Sequence, residues 1–111
     1  MNDLLDNLTF ELKRGTQVLA VLSQLDVPQY GYSLLEILIE QGIEIEANTL
    51  YPLLRRLEQQ KILDSYWDKS DARPRRFYTI NELGKSILVQ LTKEWKKITF
   101  HMERILSGGQ K

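Results

Sequence analysis

A segment with helical periodicity, followed by two strand-like runs, constrains the fold of this chain more than any other feature. In residues 47–60, leucines recur at the spacing that places them on one side of an α-helix: Leu50, Leu53, Leu54 and Leu57. Residues 63–68 and 75–80 are rich in aromatic and β-branched side chains, and the polar turn between them predicts a β-hairpin. A helix followed directly by a hairpin indicates a winged helix-turn-helix, a mainly α fold with a small β-hairpin.

Two further helices are predicted before this segment. Residues 4–25 carry apolar side chains at helical spacing and predict one helix, which ends in a turn at residues 26–29 because proline cannot continue it. Residues 32–41 predict a second helix, and Gly42 follows it at the position where glycine commonly terminates a helix.

The start of the third helix, residues 47–60, is marked by polar residues. Asn48 or Thr49 is the expected N-cap, and Pro52 fits only within the first turn. Residues 43–45, just before it, alternate apolar and acidic side chains, which fits either a very short strand or an extended linker.

The final helix carries a seven-residue repeat. Asn81 is the expected N-cap of a helix over residues 82–106, with Gly84 at a close-packing position. A small domain cannot cover a helix of this length, so we expect its seam to form a symmetric homodimer interface, shared with the N-terminal helix. The alternative is that the seam packs within one subunit. Its residues follow steps of three and four: Leu88, Leu91, Trp95, Ile98, Met102 and Ile105.

Composition narrows the functional class. The 111 residues suit one small domain, and without cysteine the chain forms neither a disulfide nor a thiolate metal site. The absence of cysteine fits a reducing interior, so we expect a cytoplasmic protein. No apolar run approaches the ~20 residues that span a bilayer, and the acidic N-terminus does not resemble a secretory signal. The net charge is zero, yet residues 1–46 carry −6 and residues 47–111 carry +6. A local basic surface can therefore attract phosphates.

The polar side of the third helix has residues that can read DNA bases. Asparagine and arginine bind adenine and guanine edges bidentately in the major groove. The alternative is an ordinary amphipathic helix with a solvated polar face, and the helix alone favours that alternative. The side chains opposite or beside the leucine stripe are Asn48, Thr49, Tyr51, Pro52, Arg55, Arg56 and Gln59.

The cations of the hairpin turn favour nucleic-acid binding over an ordinary solvated surface. Cations at a hairpin tip suit phosphate contacts or insertion into a minor groove, and the alternative is protection of a sheet edge. Arg76 adjoins the strand and could instead pair with Asp64 or Asp68. The helix and the basic hairpin together indicate DNA binding more specifically than either element does alone. The turn has one acid, Asp71, against four cations within eight residues: Lys69, Arg73, Arg75 and Arg76.

The sequence gives weaker support for ligand binding, metal binding or catalysis. Trp95 can stack on a planar ligand, although a tryptophan in mid-helix is more often a core or interface residue. His101 is the only histidine, and no nucleophile, base and orienting group are spaced for catalysis. We therefore predict no enzyme, no catalytic residue, no metal and no cofactor. The main alternative to DNA binding is a winged-helix module that binds protein.

Four segments resemble the PadR family of bacterial winged-helix transcriptional regulators, in its compact subclass with one C-terminal helix. The resemblance implies a winged helix-turn-helix over residues 1–81 and a dimerisation helix over residues 82–107, and the composition of residues 108–111 predicts a flexible tail. It covers nearly the whole length, and the third segment is the most specific. The segments are residues 12–16 (LKRGT), 30–34 (YGYSL), 48–58 (NTLYPLLRRLE) and 75–84 (RRFYTINELG).

The resemblance further implies a homodimeric, sequence-specific repressor of a palindromic operator in double-stranded DNA. The third helix would enter the major groove, and the hairpin would reach the backbone or minor groove. Members of the subclass often bind planar hydrophobic drugs or phenolic compounds at the dimer interface, and Trp95 lies where such a member has a stacking tryptophan. Eight residues would face DNA: Asn48, Thr49, Tyr51, Pro52, Arg55, Lys69, Arg73 and Arg75.

The chain departs from the family pattern at two positions. Asn48 stands where Gly or Ala is usual, a change expected to alter base preference. Lys61 stands where Gly commonly follows the third helix, a change expected to tighten or strain the turn.

Overall fold

The computed structural model describes residues 2–108 and is mainly helical with one small sheet, as predicted. The predicted flexible tail, residues 108–111, lies outside the described residues except for residue 108. The elements are α1 (Asn2–Arg14), α2 (Gln17–Ser23), β1 (Gln29–Tyr30), α3 (Gly31–Glu40), α4 (Ala47–Gln59), β2 (Leu63–Asp68), β3 (Arg75–Ile80) and α5 (Glu82–Leu106).

The apolar sides of α2, α3, α4 and the hairpin meet in one core. The four leucines of α4 that were predicted to face inward are all buried. Because one side of α4 is held in this core, its polar side faces away from the domain. The other core side chains are Val21, Leu22, Leu25, Leu34, Leu38, Ile45, Ile62, Leu63, Tyr78 and Ile80.

The prediction of one helix over residues 4–25 is wrong, because the chain forms two helices there. It turns at Gly15 and Thr16, where both the backbone N–H and the hydroxyl of Thr16 donate to the carbonyl of Lys13, at 3.0 and 2.7 Å. A continuous helix would pair that carbonyl with the N–H of residue 17 instead. The break lets α2 pack into the core, whereas α1 buries no residue.

The predicted hairpin is confirmed and is joined by a third strand. β2 and β3 pair antiparallel along their whole lengths. β1 pairs antiparallel with the other edge of β3, with Tyr30 opposite Phe77, so the strand order is β1–β3–β2. The turn predicted over residues 26–29 is therefore wrong at Gln29, because two residues are too few to show strand periodicity. Residues 43–46 form a linker rather than a strand.

α4 begins before the residues that were expected to cap it. Its N-cap is Glu46, whose side chain makes no capping hydrogen bond, so the prediction of Asn48 or Thr49 as the cap is wrong. Pro52 is the sixth residue of the helix and lies in its second turn rather than its first. Because proline has no N–H, the Asn48 carbonyl receives no helical hydrogen bond from Pro52. Both residues are exposed, so solvent can supply the missing donor.

α5 is fixed to the domain at its N-terminus. Asn81 caps it as predicted, because its Oδ1 accepts a hydrogen bond from the backbone N–H of Gly84 at 2.8 Å. Gly84 is buried in close contact with the turn after α4, where an added Cβ would collide with the carbonyl oxygen of Ile62. This contact confirms the predicted close-packing position. Within residues 2–108, no helix is both long and apolar enough to cross a membrane.

Lys61 follows α4 in a conformation that usually selects glycine. Its φ is +73°, in the left-handed region. Its N–H donates to the carbonyl of Glu58 at 2.9 Å, and the N–H of Ile62 donates to the carbonyl of Leu57 at 3.2 Å, which completes a Schellman motif. The turn therefore has the backbone geometry of a helix end that usually carries glycine, although lysine occupies that position.

We expect Lys61→Gly to stabilise the protein by about 1 kcal/mol, because it removes the left-handed backbone cost of a side chain. Gly42→Ala is the matched control, since Gly42 has a φ of +88° and no atom within 4 Å of an added Cβ. It should destabilise the protein by a similar amount. Urea unfolding of the two variants measures both changes. A Lys61→Gly variant no more stable than the wild type would contradict the assignment of strain.

Candidate nucleic-acid interface

α4 presents the predicted polar surface to solvent. Asn48, Pro52 and Arg55 are exposed, as the helical spacing requires when the leucines are buried on the opposite side. Asn48 and Arg55 can therefore extend toward the edges of bases in a groove that accepts the helix.

A groove between α4 and the hairpin brings residues of both elements together. We call it the α4–hairpin groove, and its volume is about 780 Å³. The half-buried ring of Tyr51 forms part of its wall, packed so closely on Gly31 of α3 that an added Cβ there would collide with the ring. Of the residues predicted to face DNA, four line this groove: Tyr51, Arg55, Arg73 and Arg75.

A second groove, of about 590 Å³, lies between α4 and the turn that joins α1 to α2. Thr49 and Pro52 line it, together with Arg14 and Arg56. This side of α4 is therefore basic as well. Arg14 was not among the residues predicted to face DNA, because its position beside α4 depends on the break between α1 and α2.

The hairpin turn has free cations and engaged ones. Lys69 and Arg73 are exposed and form no ion pair within residues 2–108. The Arg75 guanidinium lies 4.7 Å from the centre of the Tyr30 ring and 3.6 Å from the carboxylate of Asp71. Lys69 and Arg73 are therefore freer than Arg75 to reach a phosphate.

Hydrogen bonds to Asp68 fix the start of this turn. Its Oδ1 accepts from the hydroxyl of Ser70 at 2.7 Å and from the backbone N–H of Ser70 at 2.9 Å. These bonds, the hydroxyl's first, hold the pKa of Asp68 below its usual value. Asp68 therefore anchors the turn from which Lys69 extends.

The prediction that Arg76 pairs with Asp64 or Asp68 is wrong. Its Nη2 lies 2.8 and 3.0 Å from the two carboxylate oxygens of Glu58 on α4, and its Nε donates to the hydroxyl of Ser65 at 3.1 Å. The reason is strand alternation, since successive side chains point to opposite faces of a sheet. Arg76 is opposite Trp67 in the ladder. It therefore shares a face with Ser65, whereas Asp64 and Asp68 are on the other face.

This three-residue contact joins the hairpin to α4, and we call it the Arg76–Glu58–Ser65 network. The Ser65 hydroxyl also donates to Glu58, so each member contacts both others. The Arg76 guanidinium lies 5.9 Å from the Trp67 ring centre and 5.7 Å from that of Tyr78. The sequence showed these charges but not their partners, because Glu58 and Arg76 belong to different elements.

The predicted seam of α5 divides into a covered and an uncovered part. Leu88 and Leu91 pack against the core. Trp95, Ile98 and Ile105 are 44%, 53% and 64% exposed, and Met102 is exposed as well. Trp95 also lines a pocket of about 540 Å³ whose walls include residues of α2 and α3. The apolar side chains of α1 are equally uncovered: Leu4, Leu5, Leu8, Phe10 and Leu12.

Residues 2–108 contain no cluster of three or more His, Asp or Glu side chains that could hold a metal ion.

The chain is similar to known transcriptional regulators. The family profile described as "Transcriptional regulator PadR-like family" matches residues 18–90. A PadR family transcriptional regulator from Eggerthella lenta DSM 2243 has a crystal structure with a TM-score of 0.89 and 43% identity, covering 95% of this chain and 94% of that chain. One from Clostridium difficile R20291 gives a TM-score of 0.75 and 26% identity over 82% and 98% of the two chains. An uncharacterized protein of Lysinibacillus sphaericus is 31% identical over 88 residues, 76% of this chain and 81% of the relative.

We expect Arg76→Ala to destabilise the protein by about 1–3 kcal/mol, because it leaves the half-buried Glu58 carboxylate without its partner. Arg73→Ala removes the same kind of side chain from an exposed position and should change stability by less than about 0.5 kcal/mol. Urea unfolding compares the two variants. If both lose the same stability, the Arg76–Glu58–Ser65 network does not hold the hairpin.

Proposed function

The chain belongs to the PadR-like family of transcriptional regulators, whose members are not enzymes, and on this premise we propose a homodimeric repressor that binds a palindromic DNA operator. Residues 1–81 supply DNA binding, with α4 in the major groove and the hairpin on the backbone or minor groove. Residues 82–107 supply dimerisation. Repression is the direction that the family resemblance implies, and a bacterial regulator meets its DNA in the cytoplasm.

One observation carries the DNA-binding proposal: α4 and the hairpin border the same groove. Arg55 of α4 and Arg73 and Arg75 of the hairpin all line it. A duplex that receives α4 in its major groove would therefore bring its sugar–phosphate backbone to the arginines of the hairpin. Phosphate contacts fix the register of a protein on DNA, whereas base contacts specify the sequence.

We expect Lys69→Ala combined with Arg73→Ala to weaken binding to every duplex and to flatten its salt dependence. These cations are exposed and unpaired within residues 2–108. Each lost phosphate contact should reduce the slope of log K against log salt by about 0.9, because fewer counterions are released. Fluorescence anisotropy of a labelled duplex across a salt series measures the slope.

Two further variants complete this experiment. Lys93→Ala with Lys96→Ala removes the same charge from the exposed surface of α5 and should leave the slope unchanged.

Asn48→Ala should instead reduce discrimination among duplexes selected from a random pool, by roughly 1–3 kcal/mol at the affected base pair. Absence of any DNA retention at low salt would favour the protein-binding module over a regulator that reads DNA.

The homodimer is supported by apolar surface that one chain leaves uncovered. α1 buries no residue, and the distal half of α5 exposes a row of large apolar side chains. Contiguous exposed apolar surface of this kind marks an interaction site. A second subunit, related to the first by a two-fold axis between the α5 helices, would cover the apolar side chains of α1 and α5. The same symmetry would present two copies of α4 to one side of a duplex.

We expect Ile98→Glu to convert the dimer to a monomer, because a carboxylate in the seam would lose its hydration on association. Lys96→Glu adds an acid on nearly the opposite side of the same helix, at 100° per residue, and should remain dimeric. Sedimentation velocity distinguishes the two states. A dimer unaffected by Ile98→Glu would remove α5 from the proposed interface.

We further propose that a planar aromatic effector relieves repression. Trp95 borders a pocket of about 540 Å³ with Leu88 and Thr92 of the same helix. A flat compound stacked on Trp95 and on its symmetry mate would favour one crossing of the α5 helices and so one spacing of the two α4 helices. A ligand shifts DNA affinity only through such a difference between two states.

We expect 9-aminoacridine, a planar aromatic cation, to quench the tryptophan emission of a Trp67→Phe variant, in which Trp95 is the only tryptophan. The quenching should saturate as the pocket fills, because stacking brings the ring against the indole. In a Trp95→Ala variant, whose emission comes from Trp67, it should be absent. The same titration curve in both variants would exclude Trp95 as a stacking site.

A further inference from the structure

The α4–hairpin groove has the size and lining of a small-molecule site. Its volume of about 780 Å³ lies in the range of ligand pockets, about 300–1,000 Å³. Its lining includes five aromatic side chains and four arginines and no acidic residue. The walls come from β1, the start of α3, α4 and the hairpin, so the tertiary fold alone assembles it.

The charge of the groove is positive after internal pairing. Glu58 neutralises Arg76, and Asp71 lies 3.6 Å from Arg75. Arg55 and Arg73 form no ion pair within the described residues. A guanidinium binds a carboxylate or a phosphate through two parallel hydrogen bonds, so these two arginines favour an anionic occupant.

The aromatic walls select a flat occupant. The Tyr51 ring is held against Gly31, and the Arg76–Glu58–Ser65 network fixes the strand that carries Tyr78. The Trp67 side chain is 56% exposed and lines the same groove, so part of its indole is accessible to a flat ligand there. Burial raises the pKa of Tyr78, another side chain that lines the groove.

We propose that the α4–hairpin groove binds a flat aromatic compound carrying a carboxylate or phosphate, and that this ligand competes with DNA. The competition rests on the proposed function, because Arg55 and Arg73 would serve both the ligand and the duplex. This site differs in chemistry from the Trp95 pocket, whose lining contains no charged residue. Release from DNA here needs no change in how two subunits pack, because ligand and duplex occupy the same surface.

The test uses a Trp95→Phe variant, in which Trp67 is the only tryptophan. It is titrated without DNA at low salt with 2-naphthoate and 1-naphthyl phosphate, and with neutral 2-naphthamide as the control. At least one anion should quench Trp67 saturably and bind about tenfold more tightly than the amide, because only the anion makes charge-assisted hydrogen bonds. The two anions distinguish a carboxylate site from a phosphate site.

Matched substitutions locate the binding. Arg73→Gln in the Trp95→Phe background should weaken the anion about tenfold and leave the amide unchanged. Lys93→Gln, which removes one exposed cation from α5, should leave both unchanged. In the wild-type chain, the bound anion should displace a labelled duplex, and the amide should not.

The outcomes separate this inference from the proposed function. Equal affinity for anion and amide, or no saturable quenching by either anion, would overturn the ligand site whether or not the protein binds DNA. Quenching of Trp67 by a duplex but by neither anion would likewise overturn it and would leave the groove as a DNA contact only. Saturable anion binding without any DNA retention would support the site and overturn the proposed function.

Discussion

The burial of the four α4 leucines is the interaction on which the rest of the structure depends. Each fully buried leucine contributes about 1.5–3 kcal/mol relative to an exposed one, so α4 cannot roll about its axis without a large loss of stability. Fixing the inner side of the helix also fixes its outer side. Asn48 and Arg55 are exposed because Leu50 and Leu54 are in the core.

The Arg76–Glu58–Ser65 network sets where the hairpin sits relative to α4. A partly exposed ion pair contributes modestly to stability, and its larger effect here is geometric, because it ties the start of β3 to α4. The two walls of the α4–hairpin groove are thereby held at a defined separation. Any molecule that uses both walls, whether a duplex or an aromatic anion, meets a surface that is already assembled.

The two kinds of open surface on this chain have opposite chemistry. The uncovered rows on α1 and α5 are apolar and suit a second copy of the chain. The groove at the hairpin is aromatic and cationic and suits phosphates or other anions. Association and recognition can therefore occur on separate parts of the molecule, and the Trp95 pocket adjoins the apolar part.

The sequence by itself determined the elements that repeat a local pattern. The leucine stripe of α4, the hairpin, the Asn81 cap and the extent of α5 were predictable, because helical periodicity, strand composition and capping are encoded within a few neighbouring residues. Only the tertiary structure decided the break between α1 and α2, the third strand and the partner of Arg76. Each depends on contacts between segments that are distant in the chain or on competition for a single carbonyl. The α4–hairpin groove belongs to this second group, since local periodicity does not encode which side chains from α3, α4 and the hairpin come to share one space.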